Sequence, residues 1–174
     1  MMDWSQILEL HGRIVWKTVN RFIEDDTDAA DCFQETFVAA FEFSRKHQIR
    51  NWPGLLKRLA TTNALNRLRK RTRQTITPAS MCDAPEIADN ASQPPEVAEG
   101  HELFERLREA LAALPAEQAE ACCLRFLEGL SYVEIAEGLG VTVNHVGVLL
   151  NRAKASLREY LQPFAPASSK RLRD

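Results

Sequence analysis

Residues 129–160, GLSYVEIAEGLGVTVNHVGVLLNRAKASLREY, constrain the fold of this 174-residue chain most strongly, because they predict two helices joined by a tight turn. Ser131, followed three residues later by Glu134, forms the capping box that starts a helix. Gly140 suits the turn, since glycine tolerates a positive φ, and Thr142 can cap the second helix. This layout is that of a helix-turn-helix, which places its second helix in the major groove of DNA. A plain helical hairpin that binds no DNA is the alternative interpretation.

The second helix of this motif is amphipathic. Val146, Leu150, Ala153 and Leu157 recur at helical spacing, which predicts one buried stripe and a free opposite face. Ala136, on the first helix, is small enough for the two helices to cross closely. The free face is therefore the expected reading surface.

Composition excludes several classes of protein. The cysteines Cys32, Cys82, Cys122 and Cys123 form no C-x-x-C pair, so we expect neither a zinc site nor a disulfide framework, and no metal or cofactor. They are interpreted as small core residues in a reducing compartment. The N-terminus lacks a basic leader and no apolar run reaches membrane-spanning length, which predicts a cytoplasmic protein without membrane insertion.

The net charge of −2 hides a strong polarity along the chain. Residues 1–41 carry eight acids against three bases, whereas residues 42–74 carry ten bases against the single acid Glu42. Residues 75–102 carry only acids. The basic segment is expected to bind an anion such as the nucleic-acid backbone.

The hydrophobic pattern predicts an all-α protein with two small helical domains, a three-helix N-terminal domain and a C-terminal helix-turn-helix domain. The predicted helices outside the helix-turn-helix run from Trp4 to about Ile23, Asp28 to about Ser44, Trp52 to about Arg73, from Pro95, and from Pro115 to about Leu127. Residues 75–99, rich in proline and acids, read as a flexible linker. The predicted domains are 1–74 and 100–162, followed by a basic tail, 163–174.

The first two helices have predicted buried faces. In the first helix this face comprises Ile7, Leu8, Ile14, Val15, Val19 and Phe22, with His11 at its boundary. In the second helix it comprises Ala30, Phe33, Phe37, Ala40 and Phe41, opposite an acidic face.

Three segments resemble bacterial sigma factors of the extracytoplasmic-function family, in the order and at the spacing of that family. DAADCFQETFVAAF at 28–41 resembles the helix that docks onto core RNA polymerase, and RLATTNALNRLRKR at 58–71 resembles the promoter-melting helix. ALPAEQAEACCLRFLEGLSYVEIAEGLGVTVNHVGVLLNRAKASLRE at 113–159 resembles the second, DNA-reading domain. The resemblance implies a sigma factor that binds core polymerase, recognises promoter DNA and melts it, and that is not an enzyme.

The resemblance also assigns residues to the N-terminal domain. The residues implied in core polymerase binding are Asp28, Asp31, Gln34 and Glu35. The residues implied at the promoter element near −10 are Lys46, His47, Gln48, Arg50, Asn51, Trp52, Lys57, Arg58, Asn66, Arg67, Lys70 and Arg71. Bases can follow phosphates while flat or amide side chains receive an unstacked base, although Trp52 could equally close the core at its helix start.

In the C-terminal domain the resemblance implies binding to the promoter element near −35. The residues implied there are Arg125, Ser131, Tyr132, Thr142, Asn144, His145, Arg152 and Lys154. Relatives carry a lysine and an arginine where this chain has Gly147, Val148 and Leu149, which we expect to leave two exposed aliphatic side chains. Thr61, Thr62 and Asn66 likewise stand where the family often has arginine, asparagine and aspartate.

Two other classes of function stay open from the sequence. One is a helix-turn-helix regulator that binds duplex DNA by itself, and the other is a sigma-like adaptor that binds only proteins. The expected partners of the favoured interpretation are core RNA polymerase and promoter DNA. Exposed apolar residues on both domains make an anti-sigma factor a possible further partner.

Overall fold

The structure, a computed structural model, describes residues 3–76 and 95–164. The helices are α1 (Trp4–Asn20), α2 (Asp26–Lys46), α3 (Trp52–Ile76), α4 (Pro95–Ala113), α5 (Ala116–Phe126), α6 (Tyr132–Leu139) and α7 (Val143–Leu161), followed by a 3₁₀ turn at Gln162–Phe164. No strand occurs in these two ranges, so the predicted all-α class is confirmed. Most of the predicted linker, residues 77–94, and most of the tail lie outside the described residues.

Short polar residues start the first three helices. The Asp3 carboxylate accepts from the Ser5 amide at 3.0 Å, and the Asp25 carboxylate accepts from the Asp28 amide at 2.8 Å. The Asn51 side-chain oxygen accepts from the Gly54 amide at 2.9 Å, which confirms the predicted cap of α3. Each of these bonds satisfies an amide that the first helical turn leaves unpaired.

Helices α1, α2 and α3 pack together as a first module, here residues 3–76, around an apolar core that includes Val15, Val19, Cys32, Leu56 and Leu65. Helix α3 contacts α1 and α2 and also α4, α5 and α6. This arrangement explains why its leucines do not fall on one stripe: they meet neighbours on several sides.

The predicted burial is wrong for two residues. Leu8 in α1 is 47% exposed and Phe41 in α2 is 45% exposed. The buried stripe of α2 is formed by Ala29, Cys32, Thr36 and Ala40, with Phe33 and Phe37 only partly buried. Small residues occupy the centre of this stripe, so the aromatic side chains spread to its edges.

The second module, here residues 95–164, contains the predicted helix-turn-helix. The hydroxyl of Ser131 accepts from the Glu134 amide at 3.3 Å, and the Glu134 carboxylate accepts from the Ser131 amide at 2.8 Å, which confirms the capping box. Gly140 ends α6 with a φ of 68°, and the chain bends by 98° between α6 and α7. The positive φ supplies the turn that glycine makes without strain.

The two modules share part of their apolar core. One cluster of buried side chains joins residues of α1, α2 and α3 to Leu111, Leu114, Ala119, Cys123 and Ala153 of the second module. A separate cluster, built around Leu124, Ile135, Val146 and Leu150, joins α5 to the two helices of the helix-turn-helix. Helices α6 and α7 therefore pack on α5, while α4 and α5 pack on α3 of the first module.

Candidate nucleic-acid interface

The acidic stripe of α2, defined as Asp28, Asp31, Gln34 and Glu35, faces outward, and all four side chains are exposed. Asp31, Gln34 and Glu35 line a shallow surface hollow. Acids in the first turn of a helix are also favoured by its dipole, but the stripe extends over more than one turn. It is therefore a surface suited to a basic partner.

Arg67 of α3 binds two members of the acidic stripe. One guanidinium nitrogen contacts the Asp28 carboxylate at 3.2 Å and the other contacts Glu35 at 2.6 Å. The Glu35 hydrogen bond is the main cause of a raised pKa at Arg67. Arg67, predicted to bind DNA, thus links the basic helix α3, to which it belongs, to the acidic stripe of α2.

Several predicted DNA-binding residues of the first module are exposed to solvent. These are Lys46, Gln48, Arg50, Asn66, Lys70 and Arg71. Asn66 and Lys70 line one hollow together with Arg69 and Arg73. This part of α3 presents positive charge and an amide on one surface.

Two flat side chains predicted to receive a base are engaged with other aromatic rings. Trp52 packs edge-on against Trp4, with ring centroids 5.4 Å apart, and Trp4 packs in turn against Phe41. His47, which is exposed, lies 4.5 Å from the Phe43 ring. Trp52 thus packs against the core at the helix start, as the alternative interpretation proposed.

Three other predicted DNA-binding residues contact the second module. The Asn51 amide donates to the Glu134 carboxylate at 2.9 Å, and the Lys57 ammonium donates to the Glu128 carbonyl at 2.8 Å. Arg58 packs its side chain against Gly138, where an added Cβ would approach the Arg58 Cδ to 2.7 Å. In this arrangement the second module covers part of the predicted −10 surface.

Glu128 is the centre of the contacts between the modules. Its side chain is 4% exposed, and its carboxylate pairs with Arg21 and accepts from the Thr18 hydroxyl at 3.0 Å. Arg21 also donates to the Leu127 carbonyl at 3.0 Å. The carboxylate is therefore both charge-paired and hydrogen-bonded, as a buried acid requires.

The sequence reasoning did not single out Arg69, Glu120 or Arg108. Burial lowers the pKa of Arg69 and raises that of Glu120, which lie close enough for their charges to oppose those shifts. Both terminal nitrogens of Arg69 are buried and without a hydrogen-bond partner among the described residues. Arg108 donates to the Arg21 carbonyl at 3.0 Å. These residues meet through pairs far apart in sequence, so no local pattern marks them.

Four of the residues predicted to bind near −35 make contacts within the second module. Arg125 donates to the Leu130 carbonyl at 3.0 Å and lies 5.4 Å from the centre of the Tyr132 ring. Lys154 lies 5.0 Å from the centre of the Phe126 ring. The Ser131 hydroxyl donates to the Glu134 carboxylate within the capping box. All four of these residues are exposed to solvent.

The start of α7 is free for contacts with a partner. Thr142 caps the helix by accepting from the His145 amide at 3.2 Å, as predicted, and Thr142, Asn144, His145 and Arg152 are exposed. The expectation of two exposed aliphatic side chains is wrong for Leu149, which is 4% exposed and lies in the core of the helix-turn-helix. Val148 is 41% exposed.

The three described cysteines are free and buried, in agreement with their interpretation as core residues. Burial raises the pKa of the Cys32 thiol to about 11, and burial also raises the pKa of Cys123. Such thiols are poor nucleophiles at neutral pH. Cys82 lies outside the described residues.

No single helix within residues 3–76 and 95–164 is long and apolar enough to cross a membrane. The same ranges hold no cluster of three or more side chains suited to a metal ion.

The fold and these surfaces define a class: a helical DNA-binding protein with a helix-turn-helix module and a basic helix beside an acidic stripe. Comparison with known proteins narrows the class. A family model described as "Sigma-70, region 4" matches residues 104–157. The chain is 31% identical over 161 residues to the ECF RNA polymerase sigma factor SigE of Mycolicibacterium smegmatis, covering 92% of this chain and 62% of that protein.

Other relatives show the same kind of match. The ECF RNA polymerase sigma factor SigW of Bacillus subtilis is 22% identical over 169 residues, covering 91% of this chain and 89% of SigW. Among solved structures, the sigma factor RpoE of Bartonella quintana, in complex with the anti-sigma factor NepR, has a TM-score of 0.56 at 22% identity and covers 93% of this chain and 98% of that chain. The structure of CnrH in complex with the cytosolic domain of CnrY has a TM-score of 0.59 at 22% identity, covering 92% and 88%.

The solved structures show the likeness of fold. Residues 104–157 match the sigma-70 region 4 family, and over 92% of its length the chain is similar to an extracytoplasmic-function RNA polymerase sigma factor. The chain spans 62% of the length of that relative.

Proposed function

We propose that this chain binds core RNA polymerase and directs it to promoters, performing no bond chemistry of its own. The first module would bind polymerase and the element near −10, and the helix-turn-helix would bind the element near −35. The observation that carries the proposal is the pairing of an exposed acidic stripe on α2 with an exposed basic surface on α3, in a chain that also holds a helix-turn-helix.

The acidic stripe supports the polymerase contact. Asp31 and Gln34 are exposed, and complementary charge steers association and fixes register between proteins. Asn66 and Lys70 support the DNA contact, because they share one surface hollow with Arg69 and Arg73. Positive charge there would follow the phosphates of an opened strand.

Promoter binding would also require the two modules to move apart. In the packed arrangement Asn51, Lys57 and Arg58 contact the second module and are not free for DNA. Separation would release these three residues together with Arg69, whose guanidinium lacks hydrogen-bond partners among the described residues. A protein partner that favours the packed arrangement would keep the same residues covered, and an anti-sigma factor is such a partner.

The test is transcription in vitro with bacterial core polymerase over a library of genomic fragments, with start sites mapped. Lys70→Ala is expected to keep binding to polymerase while lowering promoter opening, because the exposed Lys70 has no described ion pair to lose. Asp31→Asn is expected to weaken binding to polymerase. Arg67 is a poor probe of DNA binding alone, since it belongs to the basic helix and also pairs with Asp28 and Glu35 of the acidic stripe.

Matched controls lie on α1, where Lys17 and Glu9 are exposed. Lys17→Ala and Glu9→Gln are expected to change neither measurement. The proposal fails if the wild-type chain does not co-migrate with core polymerase, or if the complex starts no transcript. Binding to duplex DNA without polymerase would instead support a stand-alone regulator, and binding to polymerase without DNA would support an adaptor.

A further inference from the structure

The exposed face of α7 has an unusual chemical composition. The buried stripe of this helix comprises Val146, Leu149, Leu150 and Ala153. At 3.6 residues per turn, the opposite face carries Asn144, Val148 and Asn151 in the first half of the helix, and Ala155 and Arg158 in the second half. Asn144, Val148 and Asn151 are all exposed, Val148 by 41%. The first half of the free face, which is the part that a helix-turn-helix brings to the bases, therefore carries two amides and one aliphatic group, and no charge.

The protein's own structure does not account for this face. Within residues 3–76 and 95–164, no described hydrogen bond or ion pair involves the side chain of Asn144 or Asn151. Asparagine and valine are also weaker helix formers than lysine, glutamate or alanine, which would serve a merely solvated face better. The composition of this face therefore points to a molecule outside the chain.

Gly147 gives a second observation of the same kind. It lies beside Val148 in the helix, and a Cβ added there would meet nothing within 4 Å. Its φ is in the ordinary helical range, because only Gly129 and Gly140 have a positive φ among the described glycines. Neither packing nor backbone conformation requires glycine here, although glycine costs about 1 kcal/mol in a helix. Glycine does allow another molecule to approach the backbone closely.

The chemistry of the face matches one kind of base pair. The asparagine amide can bond the N6 and N7 atoms of adenine with two hydrogen bonds, and an aliphatic side chain can contact the C5 methyl of thymine. Guanine is commonly read by arginine or lysine, and the first half of this face holds neither. Arg152 and Lys154 are exposed on its two flanks, where they are placed for phosphates.

The spacing also fits the groove. Asn144 and Asn151 are seven residues apart, which is about 10 Å along a helix axis at 1.5 Å per residue. This distance corresponds to about three base-pair steps of 3.4 Å. One face of the helix can therefore address consecutive base pairs.

We propose that Asn144, Val148 and Asn151 determine promoter specificity by reading A·T base pairs in the major groove, with the amides on adenine and Val148 against a thymine methyl. This inference rests on the proposed function and adds the base composition of the upstream promoter element. It assigns Asn151 and Val148, which had no role in the sequence-based site, to the reading face.

The experiment uses the complex of the full chain with core polymerase. The complex selects from promoter duplexes taken from a mapped start site, with the upstream element randomised. The wild-type complex is expected to select a run of about three A·T pairs. The Asn151→Ala complex is expected to show a preference for adenine that is about tenfold lower at one position of this run. Replacing the contacted thymine by deoxyuridine, which lacks the methyl, is expected to weaken wild-type binding about threefold and to have no effect on Val148→Ala.

The matched control is Ser156→Ala, an exposed residue of the same helix about 100° away from the reading face. Val148→Thr keeps the shape and one methyl group, so it should retain discrimination between thymine and deoxyuridine. Selection of G·C pairs, absence of any base preference, or unchanged discrimination in Val148→Ala would overturn the inference while leaving the proposed function standing. A complex that starts no transcript at all refutes the proposed function, and with it this inference.

Discussion

Glu134 has two roles at a single carboxylate. It completes the capping box with Ser131, and it accepts from the Asn51 amide of the first module at 2.9 Å. The hydrogen bond from the Ser131 amide is the main cause that lowers the pKa of Glu134 from its ordinary value of 4.5. The ionised carboxylate therefore contributes more to the helix start and to the module contact than the protonated form does.

The first prediction follows from the sign of this shift. A lowered pKa in the folded state contributes stability that is present above the unfolded value and is lost as pH falls through the folded value. We expect Glu134→Gln to lower the melting temperature near pH 7 and to have a much smaller effect near pH 3, measured by circular dichroism. Glu137→Gln, an exposed change on the same helix, should show no such pH dependence. An equal effect of Glu134→Gln at both pH values would contradict the prediction.

The second prediction concerns neighbouring residues with opposite exposure. Leu149 is 4% exposed in the core of the helix-turn-helix, whereas Val148 is 41% exposed. Leu149→Ala is expected to lower the free energy of unfolding by about 2–5 kcal/mol, because it leaves a cavity in a packed core. Val148→Ala is expected to change it by less than about 0.5 kcal/mol. Urea denaturation of both variants measures the two changes in the free energy of unfolding. Similar decreases for the two variants would contradict the prediction that Leu149 is buried and Val148 is exposed.

At the scale of elements, α2 and α3 carry opposite charge and pack side by side. Arg67 binds Asp28 and Glu35 across this contact. The side chain of Asp28 is 61% exposed and that of Glu35 is 56% exposed. Exposed pairs of this kind contribute about 0–1 kcal/mol, so the pair affects how the surfaces bind partners more than whether they fold.

The third prediction is therefore a change in binding. Arg67→Ala removes the cation that neutralises part of the acidic stripe, so it is expected to strengthen binding to core polymerase at low salt. The free energy of unfolding should fall by less than about 1 kcal/mol. Lys70→Ala, the matched change one turn along α3, should leave polymerase binding unchanged. Weaker polymerase binding by Arg67→Ala would show that this arginine itself contacts the polymerase.

At the scale of the whole molecule, the modules are joined by a buried acid. Glu128 follows α5, yet it pairs with Arg21 and bonds Thr18 at the end of α1. Together with the Lys57 and Asn51 contacts, it connects the predicted −10 surface to the helix-turn-helix module. Stability and exposure of the DNA-binding residues are therefore coupled.

The fourth prediction tests this coupling. Glu128→Ala leaves Arg21 without its buried partner, and it is expected to lower the free energy of unfolding by about 3 kcal/mol. It should also raise the radius of gyration above the roughly 16 Å expected of a compact chain of this length, measured by X-ray scattering. The control is Glu109→Ala, which removes a partly exposed pair with Arg106 within α4 and should have little effect. A compact, fully stable Glu128→Ala variant would show that apolar packing alone holds the modules together.

Features set by neighbouring residues were predicted well. The capping box at Ser131, the Asn51 and Thr142 caps and the Gly140 turn all occur where the sequence places them, because a cap depends on residues within one turn. The family resemblance was confirmed by the comparisons, while the individual site residues stay predictions. For Leu8, Phe41 and Leu149 the predicted burial was wrong. Their burial depends on which helices pack against them, and the local sequence pattern does not specify those helices.

The amino-acid sequence by itself determined the helical class, the helix starts, the helix-turn-helix and the polarity of charge along the chain. Periodicity, capping and charge are properties of short segments, so they can be read without knowing what packs on them. Only the tertiary structure decided that Asn51, Lys57 and Arg58 contact the second module and that Glu128 is buried between the modules. Those contacts join residues 70 to 110 positions apart, and such pairs form by packing of whole helices rather than by local preference.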